Sequence, residues 1–102
     1  MKDCVFCKIV NNGIPRNLVY EDSNVVVFNS YKPAAEFHLL IVPKKHISNF
    51  MELDDTILSM THVAQKIITD KNISGGYKMI FNGGKYQEVP HVHWHLLAGK
   101  IE

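Results

Sequence analysis

The segment His91-Val92-His93-Trp94-His95 constrains this chain more than any other. Three of its six histidines recur there at every second position, with apolar residues between them. Side chains of an extended strand alternate faces, so the spacing predicts a strand with three imidazoles on one side, about 7 Å apart from one to the next. Val92, Trp94 and Leu96 then face a core. A row of imidazoles is a poor packing surface. It suits metal ligation or phosphoryl chemistry, because neutral imidazole offers a lone pair near physiological pH.

At 102 residues the chain is read as one domain, residues 1–102, that folds alone with a thin margin. Hydrophobic residues make up 46% and charged residues 21%, as in ordinary soluble globules. A net charge of +1 gives no broad basic field, so nucleic acid is not an expected partner. No apolar run approaches the ~20 residues of a membrane span, and no membrane association is expected. The start, Met1-Lys2-Asp3-Cys4, lacks a secretory h-region, so a reducing cytoplasm is the expected location and a structural disulfide is not expected.

Cys4 to Asn12 reads as a short helix broken by Gly13 and Pro15. Leu18–Glu21 and Val25–Phe28 read as strands joined by an Asp22-Ser23-Asn24 turn. A loop over Tyr31–Glu36 leads to a strand over Phe37–Val42, ended by Pro43. Leu53, Ile57, Met60, Ala64 and Ile67 mark the core face of one long helix over Asp54–Lys71. Asp54 and Asp55 sit at its start and Gly75-Gly76 at its exit. His62 on this helix reads as a surface residue without a role. Tyr77–Phe81 is a fourth strand and the histidine segment a fifth. Several antiparallel strands with one long and one short helix define an α+β domain.

Cys4-x-x-Cys7 is half a metal site or a redox dithiol. Only three residues precede Cys4, where a redox motif expects a strand, so zinc is favoured. A tetrahedral structural site needs two more ligands, and without further cysteines these are histidines, from His38, His46, His62, His91, His93 and His95. A second task is nucleophilic. A neutral histidine whose far nitrogen is held protonated can attack phosphorus, provided donors surround the phosphate oxygens. A middle histidine flanked by two others suits this, and the loop Asn82-Gly83-Gly84-Lys85-Tyr86-Gln87 adds neutral amides beside it.

The segment His91 to Leu97 resembles the signature of the histidine-triad (HIT) nucleotide-binding hydrolases and transferases. Phe6-Cys7-Lys8-Ile9-Val10, Ile14-Pro15, Tyr20-Glu21-Asp22 and the run from His38 to Ser48 are similar to the Hint branch, in order and spacing, over nearly the whole chain. The resemblance implies a HIT-like fold with a five-stranded antiparallel sheet, and a homodimer acting on a purine nucleotide. It implies that His93 is the nucleophile that becomes nucleotidylated, its protonated nitrogen held by the His91 carbonyl. His95 and His38 would face the phosphate. Asn82 and Gln87 would serve the ribose and phosphate, and Phe6, Ile9, Phe28 and Tyr31 would line the nucleobase pocket. It further implies structural zinc on Cys4, Cys7, His46 and His91, as in bacterial members with an N-terminal CxxC, and no catalytic metal.

Four departures stand against that pattern. Ser30 occupies the position where the family usually has a ribose-binding aspartate. Glu88 replaces a serine near the leaving group. The loop from Asn82 to Gln87 is about two residues short, and the chain ends soon after His95, without the extension of Hint dimers. The expected activity is hydrolysis of nucleoside 5′-phosphoramidates or related nucleotidyl conjugates through a nucleotidyl-histidine. The alternatives are a dinucleoside polyphosphate hydrolase and a non-catalytic zinc-stabilised module that binds a nucleotide or a protein.

Overall fold

The computed structural model describes residues 4–11, 16–73 and 75–101. The runs Val25-Val26-Val27-Phe28 and Leu39-Leu40-Ile41-Val42 are buried at every position. Continuous burial along a strand requires cover on both faces of its sheet. Strands β1 (Leu18–Glu21), β2 (Val25–Asn29), β3 (Ala35–Pro43), β4 (Tyr77–Ile80) and β5 (Trp94–Ile101) form one antiparallel sheet in the order β1-β2-β3-β5-β4. Helix α2 (Thr56–Asp70) covers one face and helix α1 (Val5–Val10) the other.

The period-2 alternation sorts the side chains between two cores. Val25, Val27, Leu39, Ile41, Val92 and Leu96 pack with Met60, Val63, Ala64 and Ile67 of α2. Val26, Phe28, Leu40 and Val42 pack with Cys4, Phe6 and Ile9 from the α1 segment. The second face also carries His38, His93 and His95, because Leu40 pairs with His95 and His38 with Leu97. The site is thus built on the neighbouring strands β3 and β5.

Several local signals act as expected. Asp22 Oδ1 accepts from the backbone N–H groups of Asn24 and Val25, which fixes the β1–β2 turn. Asp54 accepts from Thr56 N–H at the start of α2, whereas Asp55 at the N-cap makes no side-chain cap. His62 is exposed, as anticipated.

Other boundaries move. The α2 exit lies at Asn72 (φ 58°), not at Gly75-Gly76: Ile73 N–H reaches the Ile68 carbonyl and Asn72 N–H the Thr69 carbonyl, a Schellman closure. The third strand begins at Ala35, two residues early. The fifth begins only at Trp94. Ladder pairing there starts at Ile41↔Trp94, and Val92 N–H bonds instead to the Ile47 carbonyl. The alternation of faces still runs through His91, His93 and His95. The predicted helix end at Asn12, its breakers Gly13 and Pro15, and the Ile14-Pro15 motif lie outside the described residues.

Candidate active site and metal centre

Cys4 is the N-cap of α1, and its Sγ accepts from Cys7 N–H at 3.3 Å. One helical turn therefore brings the two sulfurs together. His91 arrives from the approach to β5 and His46 from the turn after β3. Cys7 Sγ lies 3.0 Å from His46 Nδ1 and 3.5 Å from His91 Nδ1, and Cys4 Sγ lies 3.3 Å from His91 Nδ1. All four ligand atoms lie within 4.8 Å of one another. A tetrahedral ion with bonds of about 2.0–2.3 Å needs ligand separations of about 3.3–3.8 Å, so the cluster can hold a metal ion.

The outer hydrogen bonds prepare these rings for ligation. His91 Nε2–H donates to the Pro43 carbonyl at 2.8 Å, and His46 Nε2 bonds to Ser48 Oγ at 3.2 Å. The carbonyl keeps the His91 proton on Nε2 and leaves its Nδ1 lone pair for a metal, and the Ser48 hydroxyl can accept from His46 Nε2–H when His46 Nδ1 ligates. Burial, then the neighbouring Cys4, pushes the Cys7 thiol up to about 11. A cation reverses that cost, since thiolates are the ligating form.

His93 takes no part in this cluster. Its Nδ1–H donates to the His91 carbonyl at 2.8 Å, so the lone pair is on Nε2. Phe6 stands edge-on to the ring, with centroids 4.9 Å apart, and fixes its plane. Burial holds the His93 pKa below the ordinary value, which favours the neutral, nucleophilic form.

His95 and His38 are coupled. Ala34 N–H donates to His38 Nδ1 at 2.9 Å, so His38 is protonated on Nε2 and donates from it to His95 Nδ1, also 2.9 Å away. That leaves His95 with its proton on Nε2. Burial, with His93 and His38 beside it, lowers its pKa to about 4, and burial lowers that of His38 as well. His95 is thus a neutral donor. Both nitrogens of His38 are occupied, which makes it a positioning residue for His95 rather than a phosphate contact.

These rings open onto a cleft of about 730 Å³, within the range of small-molecule sites. Phe6, Ile9, Phe28, Ser30, Tyr31, His38, Asn82, His93 and His95 all line it, so nine of the ten non-metal residues singled out from the sequence meet in one place. Phe6, Ile9 and Phe28 are at once its apolar floor and part of the core. Tyr31 is highly exposed at the rim.

Gln87 is the exception. Its amide donates to the Ser48 and Val89 carbonyls and is absent from the cleft lining, so it braces the loop instead of facing a phosphate. Its polarity could not show that two backbone acceptors lay nearer. Glu88 lines the cleft beside His93 and His95. Arg16 and Lys32 also line it and were missed by sequence reading. The one available signal was Arg16's place two residues before Leu18, on the same strand face.

Comparison with known proteins agrees with this geometry. A family model described as "Scavenger mRNA decapping enzyme C-term binding" matches residues 3–102. Protein HitA of Neisseria gonorrhoeae is 36% identical over 107 residues, covering 99% of this chain and 100% of HitA. The structure of a histidine triad protein from Clostridium difficile superposes with a TM-score of 0.93 at 40% identity, covering 100% of this chain and 95% of that one. A HIT family hydrolase from Legionella pneumophila gives 0.90 at 38% identity, with 96% and 94% covered. The chain belongs to the histidine-triad family. Its Cys4, Cys7, His46 and His91 cluster fits the CxxC-bearing pattern within it. Among the described residues no helix is long and apolar enough to cross a membrane.

Proposed function

We propose that this protein is a nucleotidyl hydrolase that cleaves nucleoside 5′-phosphoramidates or related nucleotidyl conjugates. The observation that carries the reading is the state of His93: Nδ1 is tied to the His91 carbonyl, and Nε2 is free to face the cleft, clear of the metal cluster. In this reading Nε2 attacks the α-phosphorus and the phosphorus–nitrogen bond breaks. The amine leaves with a proton from solvent. Water then cleaves the phosphorus–His93 bond and releases a nucleoside monophosphate.

The remaining groups divide the work. His95 Nε2–H donates to a phosphoryl oxygen as charge builds there, and Asn82 offers a second donor. A purine base lies against Phe6, Ile9 and Phe28, with the ribose towards Ser30. His93→Ala with adenosine 5′-phosphoramidate tests the assignment. Removing a covalent nucleophile costs several orders of magnitude in kcat. A folded variant with wild-type turnover would sink the reading.

The metal is read as structural zinc. Two cysteines and two imidazoles form a closed tetrahedral donor set, which is typical of zinc and leaves no position for substrate. When bound, the ion ties α1 to the approach of β5 and so braces the Phe6 and His93 walls of the cleft.

The protein is also read as a homodimer. Strand β4 is a sheet edge with all four residues exposed, and Tyr77, Met79, Ile80 and Phe81 form an apolar patch beside it. In the hollow between β4 and α2, the buried Trp94 Nε1 has no partner among the described residues. A second copy pairing along β4 would cover both. Light scattering should give twice the chain mass at micromolar concentration, and a purely monomeric mass refutes the dimer.

A further inference from the structure

The cleft has two chemically different ends. At the histidine end the one acid is Glu88. The end nearest β1 is lined by Arg16, Ser30, Tyr31 and Lys32, with two cations and no acid, and it adjoins His38, whose carbonyl accepts from Ser30 N–H at 2.9 Å. Strand register explains the arrangement. Leu18, the first residue of β1, pairs with Phe28, and extending that register two residues beyond the strands points Arg16 towards Ser30 on the face that carries Phe28.

The Arg16 guanidinium is held in place but not neutralised. It lies 4.8 Å from the Phe28 ring centroid and 5.9 Å from that of Tyr31, and one Nη2–H donates to the Asn29 carbonyl. Arginine carries five N–H donors in a rigid fork. Among the described residues the ion pairs are Lys44–Glu21, Lys45–Asp54 and Lys66–Asp70, and neither Arg16 nor Lys32 belongs to one. An acid at position 30 would face Arg16 across the strands and pair with it. Ser30 instead leaves the charge open and adds a hydroxyl donor.

A bare ribose diol is neutral and gains most from a carboxylate that can accept from both hydroxyls. This end offers donors and positive charge, the complement of a phosphate monoester. We propose that the protein selects nucleotides carrying a second phosphate on the ribose, at the 2′ or 3′ position, bound by Arg16, Ser30 and Lys32. The inference rests on the nucleotide reading above, with the reacting phosphate at His93 and the sugar towards Ser30. Neither the family resemblance nor the cleft's dimensions imply it. It follows from Arg16 and Lys32 lining the cleft with a serine, and no acid, at position 30.

The experiment is titration calorimetry of the full, metal-loaded chain with AMP, adenosine 2′,5′-bisphosphate, adenosine 3′,5′-bisphosphate and inorganic phosphate. One bisphosphate should bind about 10- to 100-fold more tightly than AMP, the range expected of one charge-assisted pair at a partly exposed site. Inorganic phosphate should not reproduce that gain. Arg16→Gln should bring the bisphosphate-to-AMP ratio close to one, and so should Ser30→Asp, which pairs Arg16 internally. Thermal melts of each variant check the fold. Equal binding of AMP and both bisphosphates by the wild-type chain overturns the inference and leaves the nucleotide reading standing. A preference that survives Arg16→Gln also overturns it. Failure of all three nucleotides to bind overturns the nucleotide reading, and this inference with it.

Discussion

Replacing His38 tests whether the two-histidine relay matters to the proposed chemistry. Its ring is buried, accepts from Ala34 N–H at 2.9 Å and donates to His95 Nδ1 at 2.9 Å. In the resting site the second bond is neutral and worth about 0.5–1.5 kcal/mol net. As His95 Nε2–H donates to an oxygen gaining negative charge, its Nδ1 becomes a stronger acceptor, and the bond approaches the charge-assisted range of about 1.5–3 kcal/mol. Only interactions that strengthen in the transition state raise kcat. At about 1.36 kcal/mol per decade, His38→Leu should lower kcat about 10- to 100-fold, well short of the loss from His93→Ala. The two amide variants separate the roles. Glutamine places an N–H donor near the position of His38 Nε2 and should keep kcat within about tenfold of wild type. Asparagine can accept from Ala34 but cannot reach His95, so it should behave like leucine. Steady-state turnover of adenosine 5′-phosphoramidate by thermally characterised variants reads this directly. Leucine turning over within twofold of wild type, or asparagine outperforming glutamine, would refute the relay.

Metal content is the next expectation. Protein purified without a polyhistidine tag or chelator should carry close to one equivalent of zinc per chain, and less than half an equivalent counts against the structural site. Stripping the ion should lower Tm, because ligation energy of a closed site is folding energy. Stability should also fall with acidity. The His95 pKa is about 4 in the fold, against an ordinary 6.5 that the unfolded chain regains, and that of His38 is lowered as well. Below pH 6.5 the unfolded chain therefore binds more protons than the native one. The stability from these neutral rings is fully present above that pH and drains away as pH drops towards 4. Melts at pH 7.5 and 5.0 should show a smaller loss for His95→Gln than for wild type, and equal losses would exclude the contribution of His95.

Much of the site could be read from residue order because its geometry is local. Cys4 and Cys7 lie one helical turn apart, and His91, His93 and His95 share a face through simple alternation. The family resemblance added the assignment of His46 and His91 to the metal, which spacing left open among six histidines. Local signals failed where a distant backbone group decided the outcome. Gln87 looked like a phosphate amide until the Ser48 and Val89 carbonyls claimed it. The histidine strand starts at Trp94 because the Ile47 carbonyl takes the Val92 N–H. The α2 exit was misplaced because Asn72 entered the left-handed region before any glycine was reached.

The amino-acid order alone determined the sheet and two helices, the paired cysteines and the row of imidazoles, since each depends on periods of 2 and 3.6 residues. Tertiary structure decided which nitrogen of each ring bears its proton, because the fixing partners, the carbonyls of Pro43 and His91 and the N–H of Ala34, lie on other segments or depend on exact backbone course. It also decided that Arg16 and Ser30 line one cleft. Such a meeting depends on register, which no single stretch of sequence contains.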